Sequence, residues 1–256
     1  MSAILIPVLI VTVMGLVLGL GLALASKFMA IPTDEREAEI RECLPGANCG
    51  ACGYSGCDGY AAAIAAGEAD PDKCAPGGVD TANALAEVLG VEISTTPKVA
   101  FIACQKNSKA KYEYTGKQSC LSASLVHGGP LECQFGCIGL GDCAAACQFG
   151  AITLQDGKPV ICEDICTGCG ACTAVCPKSL ISVIPKSSKT RVLCSNCHKG
   201  PNVVKVCATS CIACGMCVKA CENEAITVEN NVAKINPDKC TNCGKCKDAC
   251  KRKAII

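Results

Sequence analysis

The pattern of apolar and polar positions divides the chain into three kinds of segment. Residues 1–26, MSAILIPVLIVTVMGLVLGLGLALAS, carry no charged side chain. A helix of that length, rising about 1.5 Å per residue, covers a hydrocarbon core of roughly 30 Å. The pattern therefore predicts one N-terminal transmembrane helix. The rival reading, a cleaved secretory signal, has ALAS as its cleavage site, but the segment lacks a basic n-region and is longer than an h-region requires. Lys27, Arg36 and Arg41 follow it and no basic residue precedes it, so the positive-inside rule places the rest of the chain in the cytoplasm, on the inner face of the cell membrane.

The second kind is short and helical. After a polar connector over residues 27–42, GCDGYAAAIAAGEA reads as an Ala-rich helix ended near Gly67, and VDTANALAEVLG as another ended by Gly90. The third kind repeats. AITLQDGKPVI, LISVIP and AITVENNVAKI have the β-branched character of short strands, with Asp156-Gly157 and Asn230-Asn231 as turns. Each lies just after a block of cysteines, and the last cysteine of each block is followed five residues on by an isoleucine: Ile152, Ile181, Ile226 and Ile255. Cys137, Cys143 and Cys147 recur at a constant offset as Cys166, Cys172 and Cys176. At that same offset Cys211, Cys214, Cys217 and Cys221 recur as Cys240, Cys243, Cys246 and Cys250. Four copies of one unit, taken in pairs, make two tandem ferredoxin-like domains.

Composition then decides what the repeats hold. Of 256 residues 27 are Cys and only 3% are aromatic. Such a cysteine content in a small secreted chain would mean disulfides, but tight C-x-x-C clusters suit metal, and a chain so poor in large rings needs ligation to help it fold. Thiolates are soft ligands suited to iron–sulfur clusters, and in two-cluster ferredoxins the last cysteine of each run ligates the other cluster. That rule gives one cluster on Cys211, Cys214, Cys217 and Cys250, a second on Cys240, Cys243, Cys246 and Cys221, and a third on Cys166, Cys169, Cys172 and Cys147. Zinc, the usual alternative for a C-x-x-C pair, does not account for runs of four that repeat at a fixed offset.

The first unit is irregular. Leu140 stands where the repeat demands a cysteine, and Cys133 lies four residues before Cys137. Cys133 is therefore expected to complete a fourth cluster with Cys137, Cys143 and Cys176; the alternative is a three-cysteine [3Fe–4S] site with Cys133 idle. Cys162 is its counterpart in the following unit, which needs no replacement. A fifth cluster fits the N-terminal spacing Cys49, Cys52, Cys57 and Cys74, where neighbouring glycines let backbone N–H groups approach an anionic core. The cysteines left over are Cys43, Cys104, Cys120, Cys162, Cys194, Cys197 and Cys207. A pair precedes each double unit, so Cys104, Cys120, Cys194 and Cys207 either converge on a sixth cluster between domains packed head to head or remain free thiols.

Charge adds little to this. Residues 1–97 carry a net −8 and residues 98–256 a net +9, but four clusters with sixteen thiolates would nearly cancel the second value. The basic excess reads equally as compensation for buried anions or as a docking patch. His127 and His198 read as loop residues, and no dinucleotide fingerprint, P-loop or nucleophile–base pair is present, so no catalytic residue is expected.

The apolar N-terminus, the segment LPGANCGACGYSGC closed by CAPGG, and the ferredoxin-type runs together resemble the B subunit family of the Rnf complex, the membrane-bound ferredoxin:NAD⁺ oxidoreductase that moves Na⁺ or H⁺, in its longer form with two double ferredoxin units. The resemblance implies an α+β chain: anchor 1–26, connector 27–42, four-cysteine [4Fe–4S] domain 43–80, linker 81–132, and double-cluster ferredoxin domains 133–185 and 186–256. It also implies electrons taken from reduced soluble ferredoxin and relayed to the other subunits of the complex, which reduce NAD⁺ and move the ion. The alternative is a membrane polyferredoxin serving a redox-sensing transcription factor or a hydrogenase. No nucleic acid partner is expected.

Overall fold

A computed structural model describes residues 2–28, 35–93 and 95–256. Met1 and residues 29–34 of the expected connector lie outside them. The first element, α1 (Ser2–Phe28), is helical, and its described apolar side chains, such as Ile6, Val13, Leu16 and Leu20, are exposed. The expected transmembrane helix is nevertheless corrected: among the described residues no helix is long and apolar enough to cross a membrane.

Three helices build the N-terminal unit: α2 (Glu35–Cys43), α3 (Cys57–Ala65) and α4 (Gly78–Leu89). Alanines on α3 let its backbone approach its neighbours, and Ile40, Tyr60, Ala61 and Leu85 are almost wholly buried among them. The helix ends in a Schellman arrangement at Gly67, φ +75°: the N–H of Gly67 donates to Ile64 O and that of Glu68 to Ala63 O, at 2.9 and 2.8 Å. Tyr60, whose ring packs against that of Tyr54 with centroids 5.4 Å apart, joins core and loop. Its ring is buried, while its hydroxyl donates to Asp70 O at 2.7 Å and accepts from the Lys73 N–H at 3.0 Å, which fixes the loop leading to Cys74.

The rest of the chain folds twice in the same way. In the first domain β1 (Lys98–Ile102) pairs antiparallel with β4 (Ile181–Pro185), Ile102 opposite Ile181. Between them lie α5 (Cys120–Leu125), α6 (Asp142–Ala145), the hairpin β2 (Ile152–Gln155) and β3 (Lys158–Ile161), and α7 (Ala171–Ala174). In the second domain the sequence is α8 (Gly200–Val206), α9 (Met216–Lys219), the hairpin β5 (Ile226–Glu229) and β6 (Val232–Ile235), and α10 (Lys245–Ala249). Both hairpins turn on the residues expected, Asp156-Gly157 and Asn230-Asn231, all with positive φ. The four repeated isoleucines are all buried.

One element was not legible in the repeat. Strand β1, inside the segment expected as a linker, belongs to the first domain, and residues around Val192 take the same place in the second. The Ala103 N–H donates to Leu180 O at 2.8 Å, and the Leu193 N–H to Ala254 O at 2.8 Å, with a bridge between Val192 and Ile255. The first domain thus opens with a strand laid against its last one, and in the second a single bridge joins the corresponding segments. Cysteines stand in both cores: Cys143 and Cys172 pack with Ile102, Leu180 and Ile181, and Cys217 and Cys246 with Val192, Ile226 and Ile255.

Candidate metal centres

Every ferredoxin-type run is presented by the same local device. A glycine with a left-handed conformation, Gly141, Gly170, Gly215 or Gly244, stands at the N-cap of a short helix, and the residue two positions on is a buried cysteine. Only glycine holds φ near +70 to +90° without steric cost, so the chain can reverse between the loop cysteines and the helical one and aim them at one point. The repeat places this glycine identically in all four units.

In the second domain two cavities show the outcome. Cys211, Cys214, Cys217 and Cys250 line one, and Cys221, Cys240, Cys243 and Cys246 line the other, so each joins three cysteines of one run to the last of its partner. Burial pushes the Cys217 thiol up to about 11, with Cys211 and Cys214 near enough to raise it further; Cys246 is raised by burial, Cys240 and Cys221. Backbone N–H groups are aimed at the sulfurs: Ala233 donates to Cys211 Sγ at 3.4 Å, Ala225 to Cys221 Sγ at 3.4 Å, and Ala254 to Cys250 Sγ at 3.4 Å. Such bonds stabilise thiolate over thiol and tune a cluster held there.

The first domain repeats this on one side. Burial, then Cys166 and Cys169, push the Cys172 thiol up to about 11, and the Ala100 N–H of β1 donates to Cys166 Sγ at 3.3 Å. Cys147, half-buried, packs against the same core. On the other side the placement departs from expectation. The cavity is lined by Cys137, Cys143 and Cys176 together with Cys120. Burial pushes Cys137 up to about 12, with Cys104, Cys120 and Cys143 adding to it; burial also raises Cys143, and Cys120 is the thiol that adds most there. Cys133 lies elsewhere, its Sγ accepting from Asn196 Nδ2 at 3.3 Å and its thiol raised by burial, Cys104 and Cys207.

At the N-terminal site the loop 44–56 turns through Gly50 and Gly53, with a 2.9 Å bond from the Gly53 N–H to Gly50 O. Asn48 Oδ1 accepts from the Cys57 N–H at 2.8 Å, which ties the loop to the start of α3. The Cys74 thiol is raised by burial against the opposing Gly77 N–H, and then by Cys57, Cys52 and Cys49, so the four expected residues share one neighbourhood. Cys43 does not join them: its thiol is raised by burial and by Glu42, Glu39 and Glu87.

Among the described residues no three His, Cys, Asp or Glu side chains converge closely enough to share a single metal ion. Thiolates on one tetrahedral zinc, each about 2.3 Å from it, sit roughly 3.8 Å apart. A cubane holds its four thiolates further apart, each on its own iron, and three of the quartets stand around cavities. Cys162 and Cys197 are exposed, His127 occupies a loop with φ +47°, and His198 meets Phe135 edge-on at 5.0 Å.

Comparison with known proteins agrees with this geometry. Residues 44–76 match the family described as "Putative Fe-S cluster", and residues 132–180 and 210–254 match the 4Fe-4S dicluster domain family. The chain is 45% identical, over 90% of its length and 71% of the relative's, to the B subunit of the Na(+)-translocating ferredoxin:NAD(+) oxidoreductase complex of Acetobacterium woodii. It is 40% identical to the B subunit of the proton-translocating complex of Clostridium ljungdahlii, over 91% of this chain and 84% of that one. It is 38% identical to the B subunit of the ion-translocating oxidoreductase complex of Methanosarcina acetivorans, over 81% of each.

Proposed function

The chain belongs to the B subunit family of the ion-translocating ferredoxin:NAD(+) oxidoreductase (Rnf) complexes, and from that premise we propose that it is the electron-relay subunit of such a complex, taking electrons from reduced ferredoxin and delivering them to partner subunits. The observation that carries this reading is the set of cysteine quartets around cavities, each assembled across two repeats. Bound there, a [4Fe–4S] cluster supplies a one-electron carrier at each site. The quartets assigned are Cys49, Cys52, Cys57 and Cys74; Cys147, Cys166, Cys169 and Cys172; Cys211, Cys214, Cys217 and Cys250; Cys221, Cys240, Cys243 and Cys246; and one around Cys137, Cys143 and Cys176.

The chain's own residues arrange these sites in a series. Cys52 and Cys74 of the N-terminal unit line the same cleft as Cys166 and Cys169 of the first domain. Cys172 lies near enough to Cys143 to feel its charge, and Cys194, beside the second domain's Cys211, feels Cys207. In the second domain Cys214 and Cys243 are exposed, and so are Lys219, Lys239, Lys247 and Lys251 of the same runs and their flanks. A cationic rim beside accessible sites would steer an acidic donor such as a ferredoxin. Reduction of NAD⁺ and ion movement fall to other subunits, and the coupling ion is not assigned to any residue here.

Mixing the full chain, purified without oxygen, with reduced ferredoxin should bleach its visible absorbance in a rapid phase. Changing Lys247 and Lys251 to Glu should slow that phase by roughly tenfold at low salt and much less at high salt. No electron uptake by a chain with full iron content would overturn the reading.

A further inference from the structure

Resting on the iron–sulfur reading above, we propose that Cys120, not Cys133, completes the site of Cys137, Cys143 and Cys176, and that Cys133 joins Cys104, Cys194 and Cys207 in a sixth four-cysteine cluster site at the join of the two ferredoxin domains.

The first half rests on a cavity and a clamp. Cys120 lines the same cavity as Cys137, Cys143 and Cys176. It starts α5, and the Asp142 carboxylate holds that start in place by accepting from the Cys120 N–H at 2.9 Å, the Leu121 N–H at 3.1 Å and Ser119 Oγ at 2.9 Å. Asp142 is the first residue of α6 and directly precedes Cys143. The clamp therefore seats Cys120 against the run that has leucine at position 140. When Cys137 is aligned with Cys211, the position of Leu140 in the second domain is Cys214 and that of Asp142 is Met216. Where the run is complete, the clamp is absent.

The second half rests on the matching of the two opening strands. Cys104 and Cys194 each follow the residue that closes the ladder to the domain's last strand, Ala103 in one and Leu193 in the other. Cys133 and Cys207 each stand four residues before the first cysteine of their run. The Cys137 N–H donates to Cys104 Sγ at 3.3 Å, and at the matching place the Cys211 backbone lies beside the Cys194 thiol. The four are thus two equivalent pairs, one from each domain.

Contacts across the join bring the pairs together. Asn196, 2% exposed, reaches from the second domain to donate to Cys133 Sγ. Ser108 bridges to Cys207 along the backbone and accepts from the Cys133 N–H at 2.9 Å through its hydroxyl, so one residue touches both. Asn107 Nδ2 donates to Thr209 Oγ1 at 2.9 Å, and Ser195 Oγ to Ala103 O at 3.2 Å. The N–H of Lys106 is a further donor to Cys104 Sγ, at 3.3 Å. A buried amide and several backbone N–H groups aimed at thiol sulfurs make a polar lining that four thiolates around an iron–sulfur core would satisfy. Placed here, the site fills the gap in the series between the first domain and the second.

Iron and acid-labile sulfide analysis of the full chain, with electron paramagnetic resonance, tests both halves. The wild type should hold about 24 iron atoms, at four per quartet. Cys133→Ser should lose about four, and Cys104→Ser added to it should lose no more, because the two share a cluster. Cys120→Ser should lose iron or show a [3Fe–4S] signal, and Leu140→Cys should restore it. Leu140→Cys should not restore Cys133→Ser. The exposed Cys162→Ser serves as the control for handling and folding. The proposal is overturned if the wild type holds about 20 irons, if Leu140→Cys rescues Cys133→Ser, or if Cys120→Ser keeps full iron and an unchanged spectrum. Failure of ferredoxin to reduce a chain holding about 24 irons would strike the relay reading and leave these sites standing.

Discussion

The two ferredoxin domains share a repeat, a central hairpin and buried isoleucines at matching places, yet they gather their cysteines differently. The second takes every thiol of its two cavities from the regular runs. The first has leucine at 140, and its cavity receives Cys120 from a helix that lies before the run. The connection from the opening strand to the run, Cys104 to Cys137 in the first domain, is nearly twice as long as its counterpart in the second, Cys194 to Cys211. The longer connection contains α5. The thiol beside the vacancy at 140 thus comes from outside the run, and the Asp142 carboxylate holds the start of the helix that carries it.

The largest test of this comparison is removal of the metal. Both cores count cysteines among their buried residues, and large aromatic side chains are nearly absent. Chelation of iron under reducing conditions should abolish the cooperative unfolding of both domains, as followed by circular dichroism, because ligation supplies much of their folding energy. A cooperative, native-like transition in the iron-free chain would show that apolar packing suffices.

Cavity-forming changes come next. Ile152→Ala and Ile226→Ala remove equivalent side chains, 6% and 4% exposed, and each should destabilise its own domain by about 2–5 kcal/mol in denaturant titration of the holo chain. Unequal costs would locate where the two domains differ in their ability to close around the loss.

The clamp predicts an asymmetry. Asp142→Ala removes three hydrogen bonds to a half-exposed carboxylate and should cost about 2 kcal/mol. It should also speed the loss of one cluster in air. Met216→Ala, at the equivalent place, should leave cluster lifetime unchanged, and equal lifetimes in the two variants would remove the clamp from the account.

The smallest effect concerns the join between domains. Glu163 pairs with Lys189 at 3.0 Å and with Arg191 at 2.8 Å. Burial works against its carboxylate, but the two cations outweigh burial and hold it below its usual range. A depressed carboxylate stabilises the fold above its unfolded pKa of about 4.3, and that contribution is lost as pH falls through the folded value. With the side chain about a third exposed, Glu163→Gln should cost no more than roughly 1 kcal/mol. The deficit should be constant from pH 8 to about 5.5 in thermal melts and shrink below the unfolded pKa. A deficit that grows on acidification would contradict this reading.

The chain alone determined a good deal. Spacing is a local property, and a loop with the pattern Cys, Gly, x, Cys can only close around one centre. For this reason the repeated runs and both hairpin turns were legible residue by residue, while the glycine N-caps emerged only with the structure. For Cys104, Cys120, Cys194 and Cys207 the sequence left two readings, one shared cluster or free thiols, and it did not show which thiols of the two domains correspond. Counting back from the aligned runs matches Cys120 with Cys194, whereas the strand bonds match Cys104 with Cys194, because the insertion that carries α5 shifts the count. Proximity in sequence likewise favours Cys133 for the vacancy at 140, and only the bond from Asn196 and the clamp at Asp142 show it turned toward the other domain. The N-terminal helix stands on the same side of the line: its apolar run was read at once, yet no described helix meets the length and hydropathy of a membrane crossing. Ligand type and spacing are written along the chain. Which of two nearby thiols faces a given cavity depends on bonds between segments apart in sequence, Cys120 to Asp142, formed once the first domain folds, and Cys133 to Asn196, formed once the two domains pack.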